Sequence, residues 1–332
     1  MGTDHAAGHR LTSQGLYTDI RGDADAPAML FLHGGPGQGC HDFMAIQGDL
    51  LGRSVRLIGI DQRGVDRSAP MPVKTDSEDG RRAEGGAGLT VADLVEDCEA
   101  VRQALGIERW AVAGQSFGGR LALRYAAAYP GHTSAVIFEN PVWDMAASVR
   151  AALPPIAAML AERGNTKAAQ AALAAAGGEQ AAGPLREAYL AALRALGEDR
   201  ESFFVPSAET RARLAEVRRA HERPEGSAGD EGSLRHHLAI VADPASEEPI
   251  QHLLSGLQVP LLLIVGGRDP LTSPQQREAF LAAPRSQVLE VPAAGHFVHA
   301  DDPLQYASAV SAFVRSVAGD LSGTGWVPAT GW

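Results

Sequence analysis

Arg109–Pro130 reads RWAVAGQSFGGRLALRYAAAYP, and this stretch decides the fold. An apolar run, RWAVA, leads into Gly-x-Ser-x-Gly at Gly114–Gly118, and an alanine-rich segment of helical character follows. Strand, Gly-x-Ser-x-Gly and helix together form a nucleophile elbow, a sharp turn that lifts a serine hydroxyl clear of a sheet. Glycines on either side let the neighbouring backbone pass without a Cβ collision. With 37 glycines in 332 residues the five-residue pattern is weak by itself, so its surroundings must carry the reading.

Those surroundings are present. HGGPG, His33–Gly37, follows the apolar run AMLFL and is a candidate oxyanion loop. Asp269 follows PLLLIVGGR, and His296 lies in EVPAAGHFVH. The chain order Ser, Asp, His, each just past a strand-like run, matches the elbow's usual partners. Ser116 is a weak nucleophile at neutral pH and needs a base. His296 is expected to supply it, with Asp269 fixing the imidazole tautomer and stabilising the imidazolium. His299 is the rival base, but Gly295 before His296 permits the tighter loop. Glu139 and Asp144, near the end of SAVIFEN, compete with Asp269 for the acid; if Asp269 is the acid, they lie near the pocket mouth or on the surface. One oxyanion donor is expected to be the amide of Phe117, the residue after the nucleophile. Pro36 has no N–H to give. His33 is read as bracing the HGGPG loop, and no elbow surrounds Cys40.

Composition narrows the setting. Hydrophobic residues make up 45% and the mean hydropathy is −0.09, as in soluble globular proteins. No apolar run approaches the ~20 residues that span a bilayer. The N-terminus, MGTDHAAGHR, carries no apolar signal core, and Ala6 spoils a myristoylation pattern. Two cysteines, Cys40 and Cys98, do not make a disulfide framework, so a reduced, cytoplasmic setting is expected. A net charge of −11 argues against nucleic acid or anionic membrane as partners and leaves a small molecule or short peptide as substrate. No Walker loop, dinucleotide fingerprint or metal-ligand cluster occurs, so no cofactor and no metal are expected. His236 and His237 are adjacent in a helix-like segment and diverge by about 100°, which does not suit a shared metal.

Along the chain, AMLFLHG, VRLIGIDQ (55–62), RWAVAG, SAVIFEN (134–140), PLLLIVGG (260–267) and SQVLEVP (286–292) read as strands. LTVADLVEDCEAVRQALG (89–106) reads as a helix with Thr90 as N-cap, Asp93 three residues on, and Gly106 as the stop. Residues 71–88, polar and glycine-rich, read as a loop. Between 141 and 256 no strand is convincing and alanine is frequent. There PLREAYLAALRALG (184–197) places Leu185, Tyr189, Leu193 and Leu196 on one helical face, and HERPEGSAGDEGS (221–233) reads as a flexible loop. The expected architecture is a mostly parallel α/β sheet flanked by helices, residues 1–140 and 257–320, with a helical cap inserted at 141–256 and a tail at 321–332 holding two tryptophans. Phe203 and Phe204 are the cap's adjacent aromatics and candidate pocket walls.

HGGPG, then DQRG at Asp61–Gly64, then the elbow region resemble proline iminopeptidases and related serine aminopeptidases of the α/β-hydrolase fold. The resemblance covers both core halves, roughly 28–140 and 259–315, and little of the cap, where a Trp-x-x-Trp-Glu segment is absent. The family's DQRGxGxS run reads DQRGVDRS here, with Asp66 in place of a glycine. The resemblance implies Gly35 as the second oxyanion donor. It also implies a substrate with a free amine held by a cap-side carboxylate, for which Glu139, Asp144 and Glu201 are candidates, with Trp143 beside them. The expected activity is therefore a cofactor-independent serine hydrolase working through an acyl-enzyme, of the aminopeptidase or amidase kind. The alternatives are an esterase or amidase on a small metabolite and, from another class, a non-hydrolytic binder or a cofactor-free lyase, epimerase or cyclase on the same fold.

Overall fold

The computed structural model describes residues 8–71, 88–178 and 182–320. Most of the 71–88 loop and the 321–332 tail lie outside the described residues. Eight strands form one sheet: β1 (Gly8–Leu11), β2 (Tyr17–Arg21), β3 (Ala28–Leu32), β4 (Arg56–Asp61), β5 (Trp110–Gln115), β6 (Thr133–Glu139), β7 (Leu261–Gly266) and β8 (Ser286–Val291). Their order is β1-β2-β4-β3-β5-β6-β7-β8. β1 and β2 pair antiparallel, as do β2 and β4, and every pairing from β4 to β8 is parallel.

A parallel sheet covered on both faces needs apolar residues at nearly every strand position, and the side chains sort by alternation. Leu30, Leu32, Ile58, Ile60, Trp110, Val112, Val136, Phe138, Leu261 and Leu263 enter one core. Their alternate neighbours Met29, Phe31, Leu57, Ala111, Ala113, Ala135, Ile137, Leu262 and Ile264 enter the other. The first core also takes up α2 (Val91–Ala104) and α3 (Phe117–Ala128). The second takes up α1 (His41–Leu51) and α12 (Pro303–Asp320). At the head of α2, the Thr90 side chain accepts from the Asp93 amide while Asp93 accepts from the Thr90 amide, a reciprocal cap. Gly106, at φ 63°, turns the chain away from that helix.

Between β6 and β7 the described elements are helical: α4 (Met145–Glu162), α5 (Thr166–Gly177), α6 (Ala182–Leu196), α7 (Arg200–Phe204), α8 (Ala208–Arg219) and α9 (Gly229–Ala242), with short 3-10 turns. They do not share one core. Leu153, Ile156 and Leu160 of α4 pack with Leu185, Leu193 and Phe203 in a core of their own. Leu214 of α8 packs with Val205 and Ala300, and Ile240 of α9 joins the sheet-side core. The remaining helices are α10 (Pro274–Leu281) and α11 (Val298–Asp301). Among the described residues no helix is long and apolar enough to cross a membrane.

Candidate active site

β5 ends at Gln115, and Ser116 makes the turn into α3 with φ 54° and ψ −118°. A non-glycine residue held there costs of order 1–3 kcal/mol, which the surroundings must offset. The Ser116 amide donates to the Glu139 carbonyl (2.9 Å), and the Ser116 carbonyl accepts from the amides of Gly119 and Val142. A Cβ on Gly114 would collide with the Gly118 carbonyl, and one on Gly118 with the Leu32 carbonyl. Strand, turn and helix therefore approach this closely only because both positions are glycine. Phe117 opens α3, so its amide is among the first-turn N–H groups that lack a helical partner and carry the positive end of the helix dipole. The HGGPG loop lies against the turn: a Cβ on Gly34 would stand 2.9 Å from the Ser116 Cβ. Gly35 takes φ 111°, a backbone open to glycine.

Asp269 follows β7, and His296 follows β8. His296 Nδ1 lies 2.7 Å from Asp269 Oδ1, with both side chains buried. A proton on Nδ1 donated to the carboxylate leaves Nε2 as the acceptor. Asp269 Oδ2 is taken up by the Thr272 amide at 2.7 Å. The His296 amide donates to the Phe204 carbonyl at 2.8 Å, and the His296 carbonyl accepts from the Gln115 side chain at 3.2 Å. Gln115, the residue before Ser116, thus ties the elbow to the histidine loop, a link the sequence did not announce.

His33 braces the HGGPG loop. Its Nδ1 donates to the Gly34 carbonyl (3.0 Å) and its Nε2 accepts from the Gln62 amide (3.2 Å). Burial holds its pKa below the usual histidine range, which keeps this neutral tautomer. Asp61 of the DQRG run accepts from the Cys40 amide at 2.7 Å and from Arg67 Nε at 2.7 Å. Burial pushes the Asp61 carboxyl up, and the Arg67 guanidinium more than offsets this, so its pKa lies below normal. The Cys40 thiol is pushed well up by burial, which makes it inert rather than nucleophilic.

The residues expected on the substrate side fare differently. Phe204 is half-buried, its ring centroid 5.8 Å from that of His296. Phe203 stacks edge-on against Phe204 but is buried in the helical core. Trp143 is fully buried, packed on Phe138 and Phe280, with its indole N–H on the Gly119 carbonyl, and so belongs to the core. Glu139 does not reach a pocket mouth. Its carboxylate accepts from the His299 amide (2.9 Å) and from His299 Nδ1 (2.8 Å), all buried. Asp144 caps α4 through the Ala147 amide and accepts from Gln251. Glu201 is paired with Arg218, which also binds Asp42. Asp42, not foreseen, lines a small cavity with Gly34, Gln38, Phe43, Gln115 and His299. Among the described residues no group of three or more His, Cys, Asp or Glu side chains is placed to hold a metal ion.

A sequence profile described as alpha/beta hydrolase fold matches residues 27–303. A proline iminopeptidase from Xylella fastidiosa (strain 9a5c) is 38% identical over 125 residues, which is 38% of this chain and 36% of that protein. The chain thus spans about a third of the length of the curated relatives it matches. Among solved structures, a proline iminopeptidase-related protein from Thermus thermophilus superposes with a TM-score of 0.68 at 24% identity, covering 94% of this chain and 97% of that one. Proline iminopeptidase from Mycobacterium smegmatis gives 0.64 at 21% identity, covering 96% and 100%. At such identities these two speak for the fold alone.

Proposed function

The chain belongs to the α/β-hydrolase fold family, and from that membership we propose that it is a serine hydrolase acting without a cofactor through an acyl-enzyme on Ser116. The observation that carries this reading is the buried 2.7 Å pair of His296 and Asp269 beside the strained Ser116 elbow. The Ser116 hydroxyl attacks the substrate carbonyl and passes its proton to His296 Nε2. Asp269 stabilises the imidazolium that forms. The Phe117 and Gly35 amides receive the developing oxyanion. The imidazolium then protonates the leaving group, and water, activated by the same histidine, releases the acid. The helices between β6 and β7 act as a cap that selects the acyl group, with Phe204 facing the histidine. Buried free thiols at Cys40 and Cys98 support a reducing, cytoplasmic setting.

Similarity to proline iminopeptidases supports an aminopeptidase-like substrate, a short peptide or amide with a free α-amine. A second reading, an ester or amide of a small metabolite without that amine, is favoured by a specific observation. Glu139, Asp144 and Glu201 are all engaged by other groups, and an ammonium entering a dry pocket needs a carboxylate of its own.

Two measurements test these statements. A fluorophosphonate probe should label the wild type and not Ser116→Ala, and Ser116→Ala should lose several orders of magnitude in kcat; retention of near-wild-type rate ends the triad assignment. Matched substrates, one with a free amine and one N-acetylated on the same leaving group, then divide the two readings. An aminopeptidase should lose about thirtyfold or more in kcat/KM on acetylation, because its carboxylate is left unpaired. Equal values establish the esterase or amidase reading.

A further inference from the structure

We propose that Glu139 and Asn140, the last residue of β6 and the first beyond it, are positioning residues that hold the three triad-bearing loops in register from the strand between them; the proposal rests on the triad assigned above. β6 lies between β5, which delivers Ser116, and β7, which delivers Asp269. Its end touches every one of the three loops. The Glu139 carbonyl accepts from the Ser116 amide at 2.9 Å. The Glu139 carboxylate takes both the amide and Nδ1 of His299, three residues past His296. The Asn140 amide donates to Ile264 on β7 at 3.0 Å. Its side chain then faces two ways: Oδ1 accepts from the Gly266 amide (3.0 Å), at the end of β7 just before Asp269, and Nδ2 donates to the carbonyl of Gly295 (2.9 Å), the residue before His296.

Chemistry explains why these residue types stand here. Asn140 has φ 41°, in the left-handed region that asparagine enters more readily than most residues. A side-chain amide carries both a donor and an acceptor, which is what an amide hydrogen on one side and a carbonyl on the other require. Aspartate could meet only the first. Glu139 is 1% exposed, and a carboxylate so buried must be fully bonded. His299 does this, its amide and Nδ1 both reaching the carboxylate. Neither Glu139 nor Asn140 is assigned a contact with substrate. Their effect passes through Ser116, Asp269 and His296, whose mutual placement matters because a shift of about 1 Å can cost 10²-fold in rate.

The test measures three quantities together: the rate of fluorophosphonate labelling, kcat and KM on an ester that the wild type hydrolyses, and thermal stability. Asn140→Gly keeps the left-handed backbone and removes both side-chain bonds. Asn140→Asp keeps the acceptor and sets a carboxylate against the Gly295 carbonyl. Glu139→Gln keeps an acceptor for the His299 amide. Val317→Ala, in the second core far along α12, supplies a variant weakened elsewhere. The expected result is that Asn140→Gly and Asn140→Asp lose about tenfold or more in labelling rate and kcat with KM within about twofold. Glu139→Gln should lose less, and Val317→Ala should lose stability with its labelling rate intact. An unlabelled wild type removes the triad, and this proposal with it. A labelled wild type whose Asn140→Gly form reacts at the same rate removes the proposal alone. So does a loss of labelling in Val317→Ala that matches Asn140→Gly at equal loss of stability.

Discussion

Under the proposed function, Phe204 is the side chain that selects the acyl group, because it stands against His296. Its carbonyl holds the His296 amide while its half-buried ring stands 5.8 Å from the imidazole. The backbone contact does not depend on the side chain, so Phe204→Ala should leave His296 in place and remove an apolar wall. The expected outcome is a changed ranking of acyl groups, bulkier ones gaining on acetyl by about tenfold, with little loss of stability. Phe203→Ala, which empties a buried site, should instead cost about 3–5 kcal/mol. Steady-state kinetics over esters of increasing acyl size, with thermal melts, check both. A uniform fall across the series for Phe204→Ala would assign the ring to packing. Residues at this scale were legible where their context is local. Ser116, Asp269 and His296 each follow an apolar run that names its own strand. Trp143 and Glu201 read as substrate residues because their real partners, Phe280 and Arg218, come from other elements. Asn140 carried no signal, since its two bonds reach Gly266 and Gly295, more than a hundred positions along.

The connection from α8 to α9 shows the same limit among elements. HERPEGSAGDEGS reads as a flexible loop from its polar, glycine-rich composition, yet it is moored and contains the first turn of α9. Asp66 accepts from His221 Nε2 (2.8 Å) and Arg223 Nε (2.5 Å), and its own carbonyl accepts from the Gly229 amide (2.8 Å). The rings of His41 and His221 pack against each other at a tilt, centroids 3.8 Å apart. Asp66, at φ 48° in the turn after β4, therefore ties that turn to the segment leading into α9. Asp66→Asn keeps a residue that tolerates this backbone and removes the carboxylate. It should lower stability by about 1–3 kcal/mol and open residues 221–228 to limited proteolysis. An unchanged cleavage pattern would show that the backbone bonds suffice. The strands divide by the same logic. Those of the parallel core are buried on both faces and read as continuous apolar runs. GHRL and YTDIR, in β1 and β2, are short and polar, and only their antiparallel pairing identifies them.

For the molecule as a whole, buried histidines set its response to acid. His236 of α9 is fully buried, its Nδ1 donating to the Arg63 carbonyl at 2.9 Å while its Nε2 has no partner among the described residues. Burial pushes its pKa down to about 4, against about 6.5 in an unfolded chain. His33, in the HGGPG loop, is lowered in the same direction by the same cause. The sign follows from proton counting. Between about pH 6.5 and 4 the unfolded chain binds a proton at such a site that the folded chain refuses, so stability is intact above this window and falls as the pH falls through it. For His236 the loss is at most about 3 kcal/mol. Carboxylates held low act further down. Glu99, pushed down to about 2 chiefly by its hydrogen bond to Arg102, gives up its contribution only below about pH 4.5. Acid loosening should thus begin where α9 meets the loops around Ser116, before carboxylates such as Glu99 titrate. His236→Asn retains a donor for the Arg63 carbonyl and cannot take up a proton. Urea unfolding of both forms from pH 7.5 to 4.5 should give curves that differ little or by a constant near neutrality and converge, or cross, toward pH 4.5, the variant losing less. Curves that stay parallel across the window would remove His236 as the source and leave His33, buried against Gln62, and His41, lowered in the same direction by burial, to account for the slope.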